Sequence, residues 1–227
     1  MDYTADRNAM TEARVVQVDD EPRMLATEAV LSERLSALAE PHIEPLAEFV
    51  HRLREQMGPD ARIPYFDPWD GGTDAEVLVL LEAPGAKARN SGFVSMNNPD
   101  ETAKNFFLAS RDATLPRRKL VMWNIIPWYI GTEVKIRPAK GTDIREGKLL
   151  LRELLELLPK LRAIVLMGRS AQKAESDLLA LAPDAKIFQC PHPSPLYVNN
   201  KPENRGILVS KLSDVSKFLV EDSTYET

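Results

Sequence analysis

Apolar residues recur at three- and four-residue spacing through "EPRMLATEAVLSERLSALAEPHIEPLAEFVHRLREQM" (21–57), the pattern of two or three amphipathic helices interrupted at Pro41 and Pro45. The stretch "GPDARIPYFDPWDGGTDAE" that follows is rich in Pro, Gly and Asp and reads as a connection. At "VLVLL" (77–81) the pattern changes to a short run of consecutive apolar residues, which suits a strand buried on both faces. Such runs then alternate with helical periodicity. "KLVMWNII" predicts a second strand, and "REGKLLLRELLELLPKL" a helix with Thr142 or Asp143 as its cap. "RAIVLMG" predicts a third strand, "SAQKAESDLLALA" a helix, "KIFQC" a fourth strand and "ENRGILVSKLSDVSKFLV" a closing amphipathic helix.

Strands alternating with helices imply a three-layer α/β/α fold: a central, mostly parallel four-stranded sheet, with the first helices as an N-terminal cover. Residues 1–227 are expected to form one domain, with 1–75 a helical extension packed on it. In such sheets ligands bind beyond the carboxyl ends of the strands. Three unusual segments each follow directly on a strand and should converge there: "LEAPGAKARNSGFVSMNN", "NIIPWYIGTEVKIRPAKG" and "PHPSPLYVNN".

Charge changes the picture of possible partners. The net charge of −5 speaks against a polyanion, but the charges are unevenly placed. Residues 1–82 hold 7 basic and 18 acidic groups, residues 83–140 hold 10 and 4, and residues 141–227 hold 12 of each. Local potential steers a polyanion, so "KAR" (87–89), "RDATLPRRK" (111–119) and "KIRPAK" (135–140) are candidates to face phosphates, Arg117, Arg118 and Lys119 foremost. The alternative is a set of solvated loops. No apolar run approaches the roughly 18 residues of a membrane helix. The acidic start "MDYTADRNAM" argues against a secretory leader, and a cytoplasmic protein without a membrane partner is expected. The single cysteine, Cys190, cannot close an internal disulfide or build a cysteine metal or iron–sulfur site, and a reduced, partly buried thiol is expected.

Three residues stand out chemically. Glu82 is a carboxylate at a strand end, before a stiff Pro84 and a permissive Gly85. Asn124 lies in the apolar "VMWNIIPW", where a buried amide needs partners: it either ties down the next loop or pairs with the edge of a nucleobase. His192 sits between prolines 191 and 193, with Pro195 close behind, either as a rigid surface turn or as a preorganised donor.

"LEAPG", "GFV", "WNIIP" and "HPSPL", in this order and each after an expected strand, resemble the motifs of the uracil-DNA glycosylase superfamily. The likeness is to the branch with G-E-A-P-G, G-x-P-F-V and H-P-S motifs, and it spans roughly residues 76–218. It implies that Glu82 serves the attacking water and the cationic sugar, and that His192 hydrogen-bonds the pyrimidine O2 as charge moves onto the departing base. Asn124 would read the Watson–Crick edge of flipped uracil, Phe93 would stack on it, and Ala83 and Gly85 fall at base-binding positions. Ser194 would contact a phosphate, and Leu196, or else Tyr197, would fill the space the base vacates.

The resemblance has three departures. Leu81 stands where the branch has glycine, the spacing from acid to Phe93 is shorter, and the cluster cysteines are absent. No cofactor and no metal are therefore expected. The implied protein is a monomeric, monofunctional glycosylase that acts on uracil in DNA without an obligate protein partner. A binding protein of the same fold without turnover, and a glycosylase for hypoxanthine or xanthine, are the alternatives.

Overall fold

The computed structural model describes residues 20–132 and 137–222. Two short strands, β1 (Tyr65–Phe66) and β3 (Phe93–Val94), form a small parallel pair of their own. The main sheet is parallel throughout, with β2 (Val77–Leu81), β4 (Leu120–Asn124), β5 (Ala163–Met167) and β6 (Lys186–Cys190) in the order β4-β2-β5-β6. Every residue of β2, β4 and β5 is buried, which is why each appears in the sequence as an unbroken apolar run. β6 is an edge strand with Lys186 and Gln189 exposed.

The N-terminal helices are α1 (Glu28–Ser36) and α2 (Glu44–Met57). Pro41 falls between them, but Pro45 does not interrupt anything. It occupies the first turn of α2, where a missing N–H leaves no hydrogen bond unmade. After the short α3 (Ala86–Ser91), α4 (Glu101–Asp112) connects to β4. α4 has no counterpart among the elements expected from the sequence. Its Asp100 cap accepts a hydrogen bond from Ala103 N at 2.9 Å, and Ala103, Phe106, Phe107 and Ser110 bury one face. The long helix expected over 145–161 is two, α5 (Gly141–Leu149) and α6 (Leu151–Glu156). Asp143 does serve the start of α5, from its third position, by accepting from Lys140 N at 2.7 Å. The next expected helix is likewise divided, into α7 (Arg169–Gln172) and α8 (Glu175–Leu181), before α9 (Pro195–Val198) and α10 (Asn204–Asp222).

Right-handed crossovers place the connection from β2 to β4 on one face of the sheet and those from β4 to β5 and β5 to β6 on the other. The packing agrees: α10 lies against α4, and α6 against α8. Chain direction thus diverges between β2 and β5, the place where such sheets open a crevice at their carboxyl end.

Strand alternation sets the two faces of β4. Trp123 faces the N-terminal segment, stacked on Phe66 with ring centroids 4.1 Å apart and planes at 11°, and 5.9 Å from Phe49 of α2. Met122 and Asn124 face the other way.

A buried ionic cluster joins the N-terminal segment to the loop after β3. Asp67, fully buried, accepts from Arg34 of α1, from Ser95 Oγ, and from Arg117 at 2.7 Å. Arg117 also binds Asp70 at 2.8 Å, Asp20 at 2.7 Å and Asn97 Oδ1 at 2.6 Å. Arg34 lies 3.6 Å above the Trp69 ring. The flanking carboxylates hold the Arg117 guanidinium above its usual range, whereas burial pushes the Asp70 carboxyl up to about 7. The acidic N-terminal third and part of the basic middle third thus neutralise each other inside the protein.

Candidate active site

Beyond the carboxyl ends of β2 and β4 lies a cavity of about 310 Å³. Its polar lining includes Asn124 from β4, His192 from the loop after β6 and Asp100 at the start of α4. Leu81, Met122, Val94 and Phe106 supply the apolar surface. A small, mostly apolar concavity with a few convergent polar groups is the usual form of a small-molecule or base site.

Asn124 is 3% exposed, yet its side-chain amide makes no hydrogen bond with any described residue. Its amide nitrogen and oxygen are not sealed off from solvent; they open onto the cavity that Asn124 lines, where a ligand could take both hydrogen bonds. It does not tie down the following loop; backbone groups do so, with Ile125 N donating to Leu81 O at 2.8 Å and Ile126 N to Glu82 O at 2.9 Å.

The imidazole of His192 has a fixed tautomer. Ser194 N, which can only donate, lies 3.2 Å from Nδ1, so Nδ1 accepts and the ring proton resides on Nε2. Burial lowers the His192 pKa, against an opposing pull from the nearby Glu82 and Asp100 carboxylates. At neutral pH the ring is therefore an uncharged donor through Nε2. Its loop is held from two sides. Asn105 of α4 donates to Pro193 O at 3.0 Å. At the end of β5, Gly168 (φ 84°) lets the loop come close, since a Cβ there would stand 2.9 Å from the His192 Cβ.

Glu82 is half-buried immediately after β2 and makes no ion pair among the described residues. Ala83 and Gly85 line the cavity, and Gly85, exposed, precedes α3. Leu196, in α9, is 88% exposed, a large apolar side chain with no role in the core. Tyr197 is half-buried, and its carbonyl is engaged by Asn204 Nδ2 at 2.6 Å. Ser194 precedes α9, and its hydroxyl makes no capping bond.

A model of the uracil DNA glycosylase superfamily matches residues 68–213. The chain belongs to the uracil DNA glycosylase superfamily. Membership assigns DNA glycosylase chemistry and a DNA partner. The match begins at Pro68, so α1, α2 and β1 lie outside it. Among solved structures, the chain is similar to the solution NMR structure of a Methanosarcina acetivorans protein provisionally designated a uracil DNA glycosylase. The two are 17% identical, with a TM-score of 0.43 over 63% of this chain and 91% of that one. No curated protein matches.

For this superfamily member, two expectations fail against the geometry. Phe93 is fully buried in β3, with its ring 6.2 Å from Tyr65, and does not line the cavity; its strand neighbour Val94 does, because successive strand residues face opposite ways. The aromatic ring at the cavity is Phe106, from the unanticipated α4. Arg117, Arg118 and Lys119 are also misplaced as phosphate ligands. They precede β4, at the end of the sheet opposite the cavity, about 16 Å away at the rise of a strand. Arg117 is committed to three aspartates, Arg118 to backbone carbonyls of Pro68 and Asp70, and Lys119 to Glu76. Of the basic segments, "KAR" reaches the cavity through Lys87, Arg137 pairs with Asp143, and Lys135 lies outside the described residues.

Asp100, Asn98 and Asn105 were not singled out in the sequence. Asn98 donates to Phe93 O at 2.9 Å and accepts from Ser91 Oγ at 2.6 Å, which fixes the wall of the cavity. The one available signal was the helix-start pattern "NPDETA", with Asp before a helical run. Among the described residues no cluster of His, Cys, Asp or Glu is arranged to hold a metal, and no helix is long and apolar enough to cross a membrane. Burial pushes the Cys190 thiol up to about 12, which leaves it protonated at neutral pH.

Proposed function

We propose that this protein excises uracil from DNA by hydrolysis, leaving an abasic site, with no lyase step. The observation that carries the reading is the pairing, at one cavity, of an unpartnered Asn124 amide with a neutral His192 whose proton is on Nε2. One amide offers both a donor and an acceptor, which matches the O4 and N3–H of uracil on a single edge.

In the reaction the bond between C1′ and N1 breaks, its electron pair moves into the base, and a water oxygen bonds to C1′. Negative charge then grows on the uracil O2. A neutral Nε2–H donor aimed there in advance stabilises that charge without reorganisation, and the surrounding prolines hold it in place. The positive charge on the sugar is the counterpart. Glu82 answers it electrostatically and takes a proton from the attacking water. Leu196, exposed on α9, fills the space left by the flipped nucleotide.

The test is release of base from end-labelled oligonucleotides carrying uracil, hypoxanthine or xanthine, followed by alkaline cleavage of abasic sites. Cleavage at uracil supports the reading. Cleavage at a purine lesion alone would reassign the substrate, and binding to uracil DNA without cleavage would make the protein a binder of the same fold.

A further inference from the structure

We propose that Leu81 determines base specificity by setting the depth of the cavity, so that a pyrimidine fits and a purine does not; the inference rests on the glycosylase reading above. Leu81 ends β2 and Asn124 ends β4, and the two are paired in register. Paired residues of adjacent parallel strands project from the same face, with the strands about 4.8 Å apart. The leucine side chain therefore stands beside the amide, and both line the cavity.

Its place in the sheet makes it the floor. β2 lies between β4, which carries Asn124, and β5, over whose end the His192 loop passes at Gly168. A base held by Asn124 on one side and His192 on the other has Leu81 beneath it. Met122 and Phe106 extend the same apolar surface. Leu81 is 9% exposed and has no donor or acceptor, so it neither moves aside freely nor satisfies a polar atom pressed against it. A purine is one ring larger. On this floor it would either clash or leave ring nitrogens against hydrocarbon, and a buried polar group left unpaired is a strong source of discrimination.

Single-turnover base release is measured for the wild type, Leu81→Ala and Leu81→Phe on uracil, hypoxanthine and xanthine oligonucleotides, with DNA affinity and melting temperature recorded alongside. Changes of one or two methylenes in such a pocket alter discrimination by about 10-fold or more. Leu81→Ala should slow uracil release, through lost contact, yet raise the purine-to-uracil ratio at least 10-fold. Leu81→Phe should slow uracil release at least 10-fold while DNA affinity is kept. A folded Leu81→Ala whose ratio stays within about threefold of wild type overturns the proposal, as does a Leu81→Phe that releases uracil at the full rate. A wild type inert on uracil overturns the reading of the site instead, so the two failures are distinguishable.

Discussion

The backbone N–H of Ser194 donates to Nδ1 of His192 across 3.2 Å. Protonating Nδ1 would turn an acceptor into a second donor facing that N–H. This contact therefore reinforces the lowering of the His192 pKa by burial, while Glu82 and Asp100 oppose it. A histidine with a depressed pKa contributes stability above its unfolded value, about 6.5, and loses it as pH falls through the folded value. If base release needs the neutral ring, single-turnover rates on uracil DNA should stay level as pH falls to about 6.5, the ordinary histidine value, and decline only at lower pH. A profile in which release improves on acidification through that range would show that the imidazolium is the active form.

Loss of one preorganised donor costs about 10²–10³ in rate. His192→Ala and Glu82→Gln should each fall at least that far in single-turnover assays, with DNA affinity and melting temperature close to wild type.

Asn124→Asp should behave differently. The change removes the N–H donors and sets an acceptor against the O4 of uracil, so preference should move toward cytosine, whose exocyclic amine is a donor. The measurement is the ratio of release rates from uracil and cytosine oligonucleotides.

Arg117 is a structural residue by its contacts. Removing one member of a buried charge cluster costs about 3–5 kcal/mol, so Arg117→Ala should lower unfolding free energy by that order. Asp70, with its carboxyl raised to about 7 by burial, contributes stability that is present at low pH and lost as pH rises from about 4 to about 7. Asp70→Asn should therefore gain stability relative to wild type at pH 8 compared with pH 5, measured by chemical denaturation. An identical difference at both values would contradict a folded-state Asp70 that titrates between them.

Much of this architecture is legible in the sequence, for identifiable reasons. Strands buried on both faces cannot carry polar residues, so β2, β4 and β5 stand out as apolar runs, and the segments after them must meet at one end of the sheet. Asn124 and His192 line the cavity at that end, whereas Glu82, directly after β2, does not line it. What the sequence concealed depends on distant contacts or on elements too short for a period to appear. β1 and β3 have two residues each, so nothing signalled that Phe93 faces the core and Val94 the cavity. The basic run at 117–119 looks like a phosphate site until Asp67 and Asp70, remote in sequence, are found against Arg117. α4 interleaves its buried residues Ala103, Phe106, Phe107 and Ser110 with Lys104, Asn105 and Arg111, so its apolar face is short and broken in the sequence.

Leu196 offers a test of how the base is extruded. At 88% exposure it contributes little to folding, so Leu196→Ala should leave the melting temperature unchanged. It should slow release from duplex DNA more than from single strands, where no stacked space must be filled. Equal effects on both substrates would remove the wedge role.

The most direct measurement is single-turnover release of uracil from an end-labelled oligonucleotide by wild type and His192→Ala, side by side at neutral pH. The wild type should produce an alkali-labile abasic site at the uracil position, and His192→Ala should do so at least 100-fold more slowly while binding the same DNA. A wild type that binds uracil DNA but releases nothing, or a variant that matches it, would contradict the assignment of a neutral, preorganised His192 as the group that stabilises the departing base.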